Sequence, residues 1–323
     1  MPLLKRRTLL VGAAAALAAS GASAQTFPTG PVKIITSVGA GGGPDVLTRI
    51  VADQLTQLWG QQVIVLNQPG GAGAVAIRAL ASSPPDGHTL YMSLASNYIA
   101  VPELRTNFPE EVVRDLAPVG FVGAHPMVLA ARHDLGVKTL PQFIALARQR
   151  KGELNVAAGN RGSILHLTGE WLSSAAGIDV VLLHYASASK AIADVMGGRM
   201  HAMIDSMTAM RSAVDSGTLK PLAIATKQRQ PSYPDLPTFA ATIPGFEAMG
   251  WLALVATPGT PSPIADKISG DLRTALARPE LKKRFHDLGT EINPTTPAEL
   301  RAFIAEQQRI WRPVIAGIPK AIK

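Results

Sequence analysis

Short runs of β-branched and apolar residues alternate with amphipathic helical patterns along almost the whole chain, and that alternation leaves few folds open. Val32 to Ser37, Gln62 to Leu66 and Thr89 to Leu94 read as strands, with helical patterns at Asp45 to Trp59 and Ala74 to Ser82 between them. A second set follows, with strands at Met127 to Ala131, Leu154 to Ala158, Val180 to His184 and Met200 to Asp205. Its helical patterns are Leu140 to Arg150, Ser163 to Ala176 and Ser189 to Gly197. A strand at Leu222 to Thr226, a loop carrying Pro231, Pro234, Pro237 and Pro244, and a strand at Trp251 to Ala256 come next. Two helices, from about Pro263 to Leu288 and from Pro297 to Ala316, close the chain. Strand, helix and strand in succession specify a mainly parallel sheet covered on both faces. Two such sets of similar size predict an α/β protein of two lobes. The chain builds one lobe from 25–123, makes the other from 124–247, and returns to the first at 248–323. The cleft between the lobes is then the candidate site.

The first 24 residues predict export. Lys5, Arg6 and Arg7 precede an apolar run from Thr8 to Ala19, and Ala22-Ser23-Ala24 before Gln25 has the small-x-small form of a signal-peptide cleavage site. The run is shorter than the roughly 20 residues a bilayer needs. Arg6-Arg7 also fits a twin-arginine signal, although general secretory export is favoured. Cleavage after Ala24 would leave roughly 300 residues, a length that suits two domains, and a periplasmic setting. The net charge of +8 is scattered, and aromatic residues make up only 5% of the chain. A nucleic-acid surface would need a basic stripe with stacking rings, so a small anion is the better partner for this bias. The chain has no cysteine, which removes disulfides, thiolate metal sites and a cysteine nucleophile.

Four loops at strand-to-helix junctions carry the chemistry. Val38, Gly39, Ala40, Gly41, Gly42 and Gly43 lead through Pro44 to Asp45 at the start of a helix. Glycines allow close backbone approach, and the helix end offers free N–H groups and a positive dipole, which together suit an anion. Asp45 also fits a helix-terminal acid. Gly159, Asn160, Arg161, Gly162 and Ser163 form the matching junction of the second lobe, with Ser163 placed to cap the helix. Arg161 could add a bidentate clamp on carboxylate, and His166, one turn in, reads first as a buried hydrogen-bonded residue and second as a ligand contact. Ser93, Ser96 and Asn97 offer hydroxyl and amide groups at a strand end. The fourth junction, Asn67 to Gly73, has glycines after a strand but lacks the acid a dinucleotide fingerprint requires. Ser163, His166 and Asp205 can be assembled on paper into a triad, yet no GxSxG elbow, HExxH motif or metal-spaced histidines occur. Neither a catalytic centre, a metal site nor a cofactor is expected.

These loops, in this order and spacing, resemble the Bug family, the extracytoplasmic solute receptors of tripartite tricarboxylate transporters. The resemblance spans the mature chain. Besides the glycine loop ending in Asp45, it includes Asn67-x-Pro69-Gly70, Pro85-Asp86-Gly87-His88, Asp115 to Val119, Gly162-Ser163-x-x-His166-Leu167, Gly197-Gly198, Asp205, Pro234 to Thr238 and Pro258-x-Thr260-Pro261. It implies a Venus-flytrap protein of the type II periplasmic-binding class that grips a carboxylate through backbone N–H groups and ordered water. Ala40 stands where a proline is usual, Asn160 where glycine is usual, and His184-Tyr185-Ala186-Ser187 where Pro-Tyr-Lys-Gly is common, with Tyr185 kept. The expected partners are a small carboxylate (a di- or tricarboxylate, an acidic amino acid or an aromatic acid) and membrane transporter subunits, with the receptor itself a monomer. A receptor that signals to a membrane sensor kinase, and a secreted hydrolase, are the alternatives.

Overall fold

The computed structural model describes residues 27–318 except 42, 105–107 and 186. The expected leader and its cleavage site, and Gly42 of the first loop, lie outside the described residues.

Two sheets share one long strand. In the first sheet β1 (Val32–Thr36) lies between β2 (Val63–Asn67) and β3 (Thr89–Leu94), all parallel. β9 (Met249–Ala256) pairs antiparallel with β3, and the first part of β4 (Ala117–Arg132) pairs antiparallel with β9. In the second sheet, the last residues of β4 lie between β7 (Ala202–Ser206) and β8 (Leu219–Ile224), both antiparallel to it. β5 (Asn155–Gly159) and β6 (Val181–Tyr185) continue from β7 in parallel. β4 changes partners between Pro126, which faces Met249 of β9, and Met127, which faces Ser206 of β7. That crossing falls three residues after the boundary expected from sequence at 123/124. The return crossing is stitched at the same level, where the Ala225 N–H donates to the Met127 carbonyl and the Met127 N–H donates to the Ala248 carbonyl. The architecture is a two-lobed α/β protein.

Helices follow the strands as the sequence pattern dictates. α1 (Gly43–Trp59) and α2 (Ala74–Ala81) serve the first sheet. Three short helices, α3 (Ala95–Ile99), α4 (Val101–Leu104) and α5 (Glu110–Asp115), fill a stretch that carried no clear periodicity. α6 (Leu140–Gln149), α7 (Ile164–Ala176), α8 (Ala188–Met196) and α9 (Met207–Asp215) serve the second sheet. The single helix expected from Pro263 to Leu288 is two, α10 (Ser262–Leu276) and α11 (Pro279–Asp287). Arg278 precedes Pro279 and takes extended backbone angles (φ −63°, ψ 131°), the conformation a following proline imposes. α12 (Pro297–Ala316) opens on a Thr296/Glu299 capping box.

The first sheet is apolar on both faces, as parallel strands under two helical layers must be. Ile34 and Leu90 point into one core with α1 and α10, while their neighbours Ile35 and Tyr91 point into another. The latter core continues without a break into the second lobe through Leu129, Val156 and Leu167, and takes in Trp251 and Trp311. The lobes are therefore joined by shared packing as well as by chain.

Candidate ligand-binding site

A cavity of about 790 Å³ lies between the two sheets. Parallel strands end at their carboxyl edges in loops that enter the next helix, so the lobes present helix N-termini to the space between them. Five converge on it. α1 contributes Gly43, Pro44, Val46 and Leu47, α3 contributes Ala95 and Ser96, α7 contributes Ile164 and Leu165 behind Ser163, and α8 contributes Ala188 and Ser189 behind Ser187. α9 contributes Thr208 and Ala209 behind Ser206. Each first turn carries N–H groups without intrahelical partners and the positive end of the helix dipole.

Ten of the residues expected from sequence line this cavity: Val38, Gly39, Ala40, Gly41, Ser96, Gly159, Asn160, Ser163, Tyr185 and Asp205. Gly41 sits at φ +81°, a left-handed backbone that glycine adopts without strain. Ser163 caps α7 as expected, its Oγ accepting the His166 N–H at 3.4 Å. Tyr185 presents its ring to the cavity but spends its hydroxyl on Asp194 (2.7 Å), and burial together with that carboxylate pushes the phenol up to about 12.

The other expected residues among those described stand outside the lining. Asp45 is buried and accepts from the Gly41 N–H (2.8 Å), the Asn67 amide (2.7 Å) and Arg49 Nε (3.0 Å). Burial opposes its ionisation, but the Arg49, Asn67 and Gly41 hydrogen bonds outweigh it and hold the carboxyl below the ordinary carboxylate range. Ser93 donates to the Ala253 carbonyl across the β3–β9 pair (2.8 Å). The Asn97 amide accepts from the Leu94 N–H and the Tyr91 hydroxyl and donates to the Ala72 carbonyl, tying the α3 entry to the Asn67 to Gly73 loop. The buried His166 ring accepts the Gly162 N–H on Nδ1 (3.2 Å) and pairs Nε2 with Glu170 (3.1 Å). With both ring nitrogens so engaged, the His166 imidazole makes no hydrogen bond to the Ser163 hydroxyl, and a Ser163, His166, Asp205 triad is not assembled. Arg161 is exposed and Gly162 is buried, and neither borders the cavity. A polar residue beside a loop has first to satisfy that loop's own backbone, and Asp45, Asn97 and His166 all do.

Several lining residues were not anticipated. His125 and Trp251 come from β4 and β9 where the chain crosses between lobes, and Leu288 and Thr290 from the turn after α11. The His125 imidazole is pushed down to about 4 by burial, so it is neutral at physiological pH. Ser187 and Ser206 each stand at the N-cap of a helix, where serine is favoured; Ser206 Oγ accepts the Ala209 N–H, whereas Ser187 makes no such cap bond, and the sequence reading, which placed a helix at Ser189 to Gly197, placed none at α9. Across the mouth the lobes touch: the Thr208 hydroxyl donates to the Leu288 carbonyl, and Ser232 Oγ lies 2.8 Å from His286 Nε2. These contacts bring the two lobes together at the edge of the cavity.

The buried Asp45 carboxylate offers a direct test of how the first loop is held. Asp45→Ala is expected to cost about 2–3 kcal/mol, because the Gly41 N–H and the Asn67 amide lose a charged acceptor. Urea melts should report it. Since the folded pKa is lowered, the contribution is full at neutral pH and fades as pH falls through the folded value, below the ordinary carboxylate range. Equal midpoints for wild type and variant at neutral pH would exclude this role.

Two lobes closing on a cavity ringed by helix N-termini define a solute-binding protein. The chain belongs to the tripartite tricarboxylate transporter family receptors, whose family model matches residues 47–319. Protein BugT of Bordetella pertussis is 33% identical over 299 residues, covering 92% of this chain and 92% of the relative. Among solved structures, R. palustris Rpa4515 with adipate superposes with a TM-score of 0.82 at 26% identity, covering 90% of this chain and 97% of that one. MatC (Rpa3494) from Rhodopseudomonas palustris, with bound malate, gives 0.79 at 27% identity, covering 90% of this chain and 100% of that one.

Proposed function

We propose that this protein is a periplasmic receptor that holds a small organic carboxylate between its lobes and presents it to membrane transporter subunits. The observation that carries the reading is the convergence of five helix N-termini on one cavity whose described lining residues include neither lysine nor arginine. Such a site attracts an anion through backbone N–H groups and dipoles, each terminus contributing about 0.3–1 kcal/mol before hydrogen bonds are counted. Val38 to Gly41 and Ser96 on one side, and Gly159, Asn160 and Ser163 on the other, make the grip. Residues 25–123 with 248–323 form one lobe and 124–247 the other, a division supported by the change of strand partners within β4. The protein acts as a monomer, and the exported form begins at Gln25. The similar structures of Rpa4515 with adipate and of MatC with bound malate support the ligand class.

A thermal-shift screen against mono-, di- and tricarboxylates, acidic amino acids and aromatic acids tests the reading. A ligand at 100 times its dissociation constant should add about 2.7 kcal/mol of stability. Indifference to every acid, with a response to a neutral or cationic solute instead, would overturn it.

A further inference from the structure

One side chain on the lining can acquire a positive charge. Among the described residues around the cavity there is neither lysine nor arginine, and His125 is the single histidine. Its place is set by the crossing between lobes. On β4 it stands opposite Gly250 of β9, just before β4 changes partners. A side chain at Gly250 would collide with His125 Nε2, so the ring lies across the bare glycine, and both residues border the cavity. Neither ring nitrogen is hydrogen-bonded to another described residue. The surroundings supply no countercharge that would hold the imidazole ionised. β9 brings only Gly250 and Trp251 to the cavity, and Tyr185 of β6 has its hydroxyl committed to Asp194. Glu291, whose backbone pairs with Ala124, is exposed, and Asp205 of β7 is the one carboxylate on the described lining. Burial accordingly leaves the free imidazole neutral, pushed down to about 4.

We infer that His125 receives a second carboxylate of the solute and takes up a proton in doing so. The inference rests on the carboxylate reading of the cleft and adds to it the residue that reads the far end of the acid. The first carboxylate is met by helix N-termini, which are fixed dipoles and do not titrate. A second one has a single place on the described lining where a full countercharge can form. The proton passes from solvent to the free imidazole nitrogen, and the imidazolium N–H then donates to the carboxylate. An opposite charge within hydrogen-bond reach would lift the imidazole to about 6 or 7. Linkage then requires a diacid to bind more tightly as pH falls toward that range.

Calorimetric titration of the purified protein at about pH 6, where the acids themselves are largely ionised, decides the matter when run in two buffers of different ionisation enthalpy. The difference between buffers counts the protons taken up per solute bound. The probes are malate, adipate and terephthalate, each beside the acid with methyl in place of one carboxyl: 3-hydroxybutyrate, hexanoate and para-methylbenzoate. At least one diacid should bind about tenfold more tightly than its partner, the worth of one charge-assisted hydrogen bond. It should take up about half a proton or more. His125→Gln should lower that diacid's affinity about tenfold, leave the monoacid's unchanged and remove most of the uptake. His125→Asn serves if the glutamine variant melts early. Asp205, pushed up to about 6 by burial, titrates in the same range, so Asp205→Asn is measured in parallel and the uptake should survive it. A diacid bound without uptake, uptake undiminished by the His125 variants, or uptake lost in Asp205→Asn overturns the inference and leaves the carboxylate reading intact. So does a monoacid that equals or exceeds its diacid partner in every set. Silence from every acid removes both.

Discussion

Gly159→Val is expected to weaken solute binding by on the order of 100-fold, the loss of one or two charge-assisted hydrogen bonds at about 1.5–3 kcal/mol each. Gly159 ends β5 and borders the cavity directly. A Cβ at this position would lie 2.7 Å from Ser163 Oγ and 2.7 Å from Leu165 Cδ1, both closer than real side chains approach. The strand cannot move aside, because Gly159 is registered against Tyr185 of β6 and its carbonyl lies 3.0 Å from His184 Nδ1. What yields is the start of α7, whose cap Ser163 and first-turn Leu165 hold the nearest atoms and line the cavity; on the proposed function this is the turn whose N–H groups meet the solute. Valine adds two more methyls at the same point, and its overpacking costs a further 1–3 kcal/mol or so of stability. Calorimetry with the tightest acid from the screen measures the first effect and a urea melt the second. Gly270→Ala is the control: the position lies within α10 with nothing within 4 Å of an added Cβ. It should leave affinity unchanged and raise stability by roughly 0.5–1 kcal/mol. Undiminished binding by Gly159→Val would mean that the second lobe's loop does not touch the solute.

The contrast between Gly159 and Trp251 shows what a sequence can and cannot reveal about such a site. The junction loops were legible because their signals are local. Glycines after a β-run, a serine or acid before a helical pattern, and the direction of a parallel strand together state where free N–H groups will gather. Val38 to Gly41, Gly159, Asn160 and Ser163, read that way, line the cavity. Asp45, Asn97 and His166 share the same stretches and the same polarity, yet their side chains turn back to hold Gly41, Leu94 and Gly162 in place. Sequence places a polar residue near a loop but does not say which way it points. His125, Trp251, Leu288 and Thr290 arrive from strands and turns that meet the cavity only because β4 and β9 cross between the lobes. Antiparallel pairing of segments more than a hundred residues apart leaves no local mark. The short helices at 95–115 were hidden for another reason, being held by tertiary contacts rather than by a periodic apolar face.

Trp311→Ala is expected to lower stability by about 3–5 kcal/mol, the range for truncating a fully buried tryptophan. The sequence reading returned the last helix to the first lobe, but α12 also packs on α7 of the second. Trp311 is fully buried and meets Trp171 of α7 edge to face, with ring centroids 5.0 Å apart. Trp171 stacks on Phe246 at 4.4 Å, and Phe246 stacks on Phe239 at 4.6 Å, within the segment that leads the chain back to β9. Removing the indole therefore opens a void where the return crossing, the second lobe's helix and the C-terminal helix meet. Its Nε1 has no hydrogen-bond partner among the described residues, so the cost is one of packing and cavity rather than of a broken polar contact. Trp311→Phe keeps a ring against Trp171 and should recover most of the loss. In urea the midpoint should fall with the slope nearly unchanged, since the same surface is exposed on unfolding. A loss below about 1 kcal/mol would show that the neighbours collapse into the space, and that the contact between α12 and α7 does little to hold the lobes together. A steeper or shallower slope would instead mean that the lobes had begun to unfold separately, which a core shared between them should prevent.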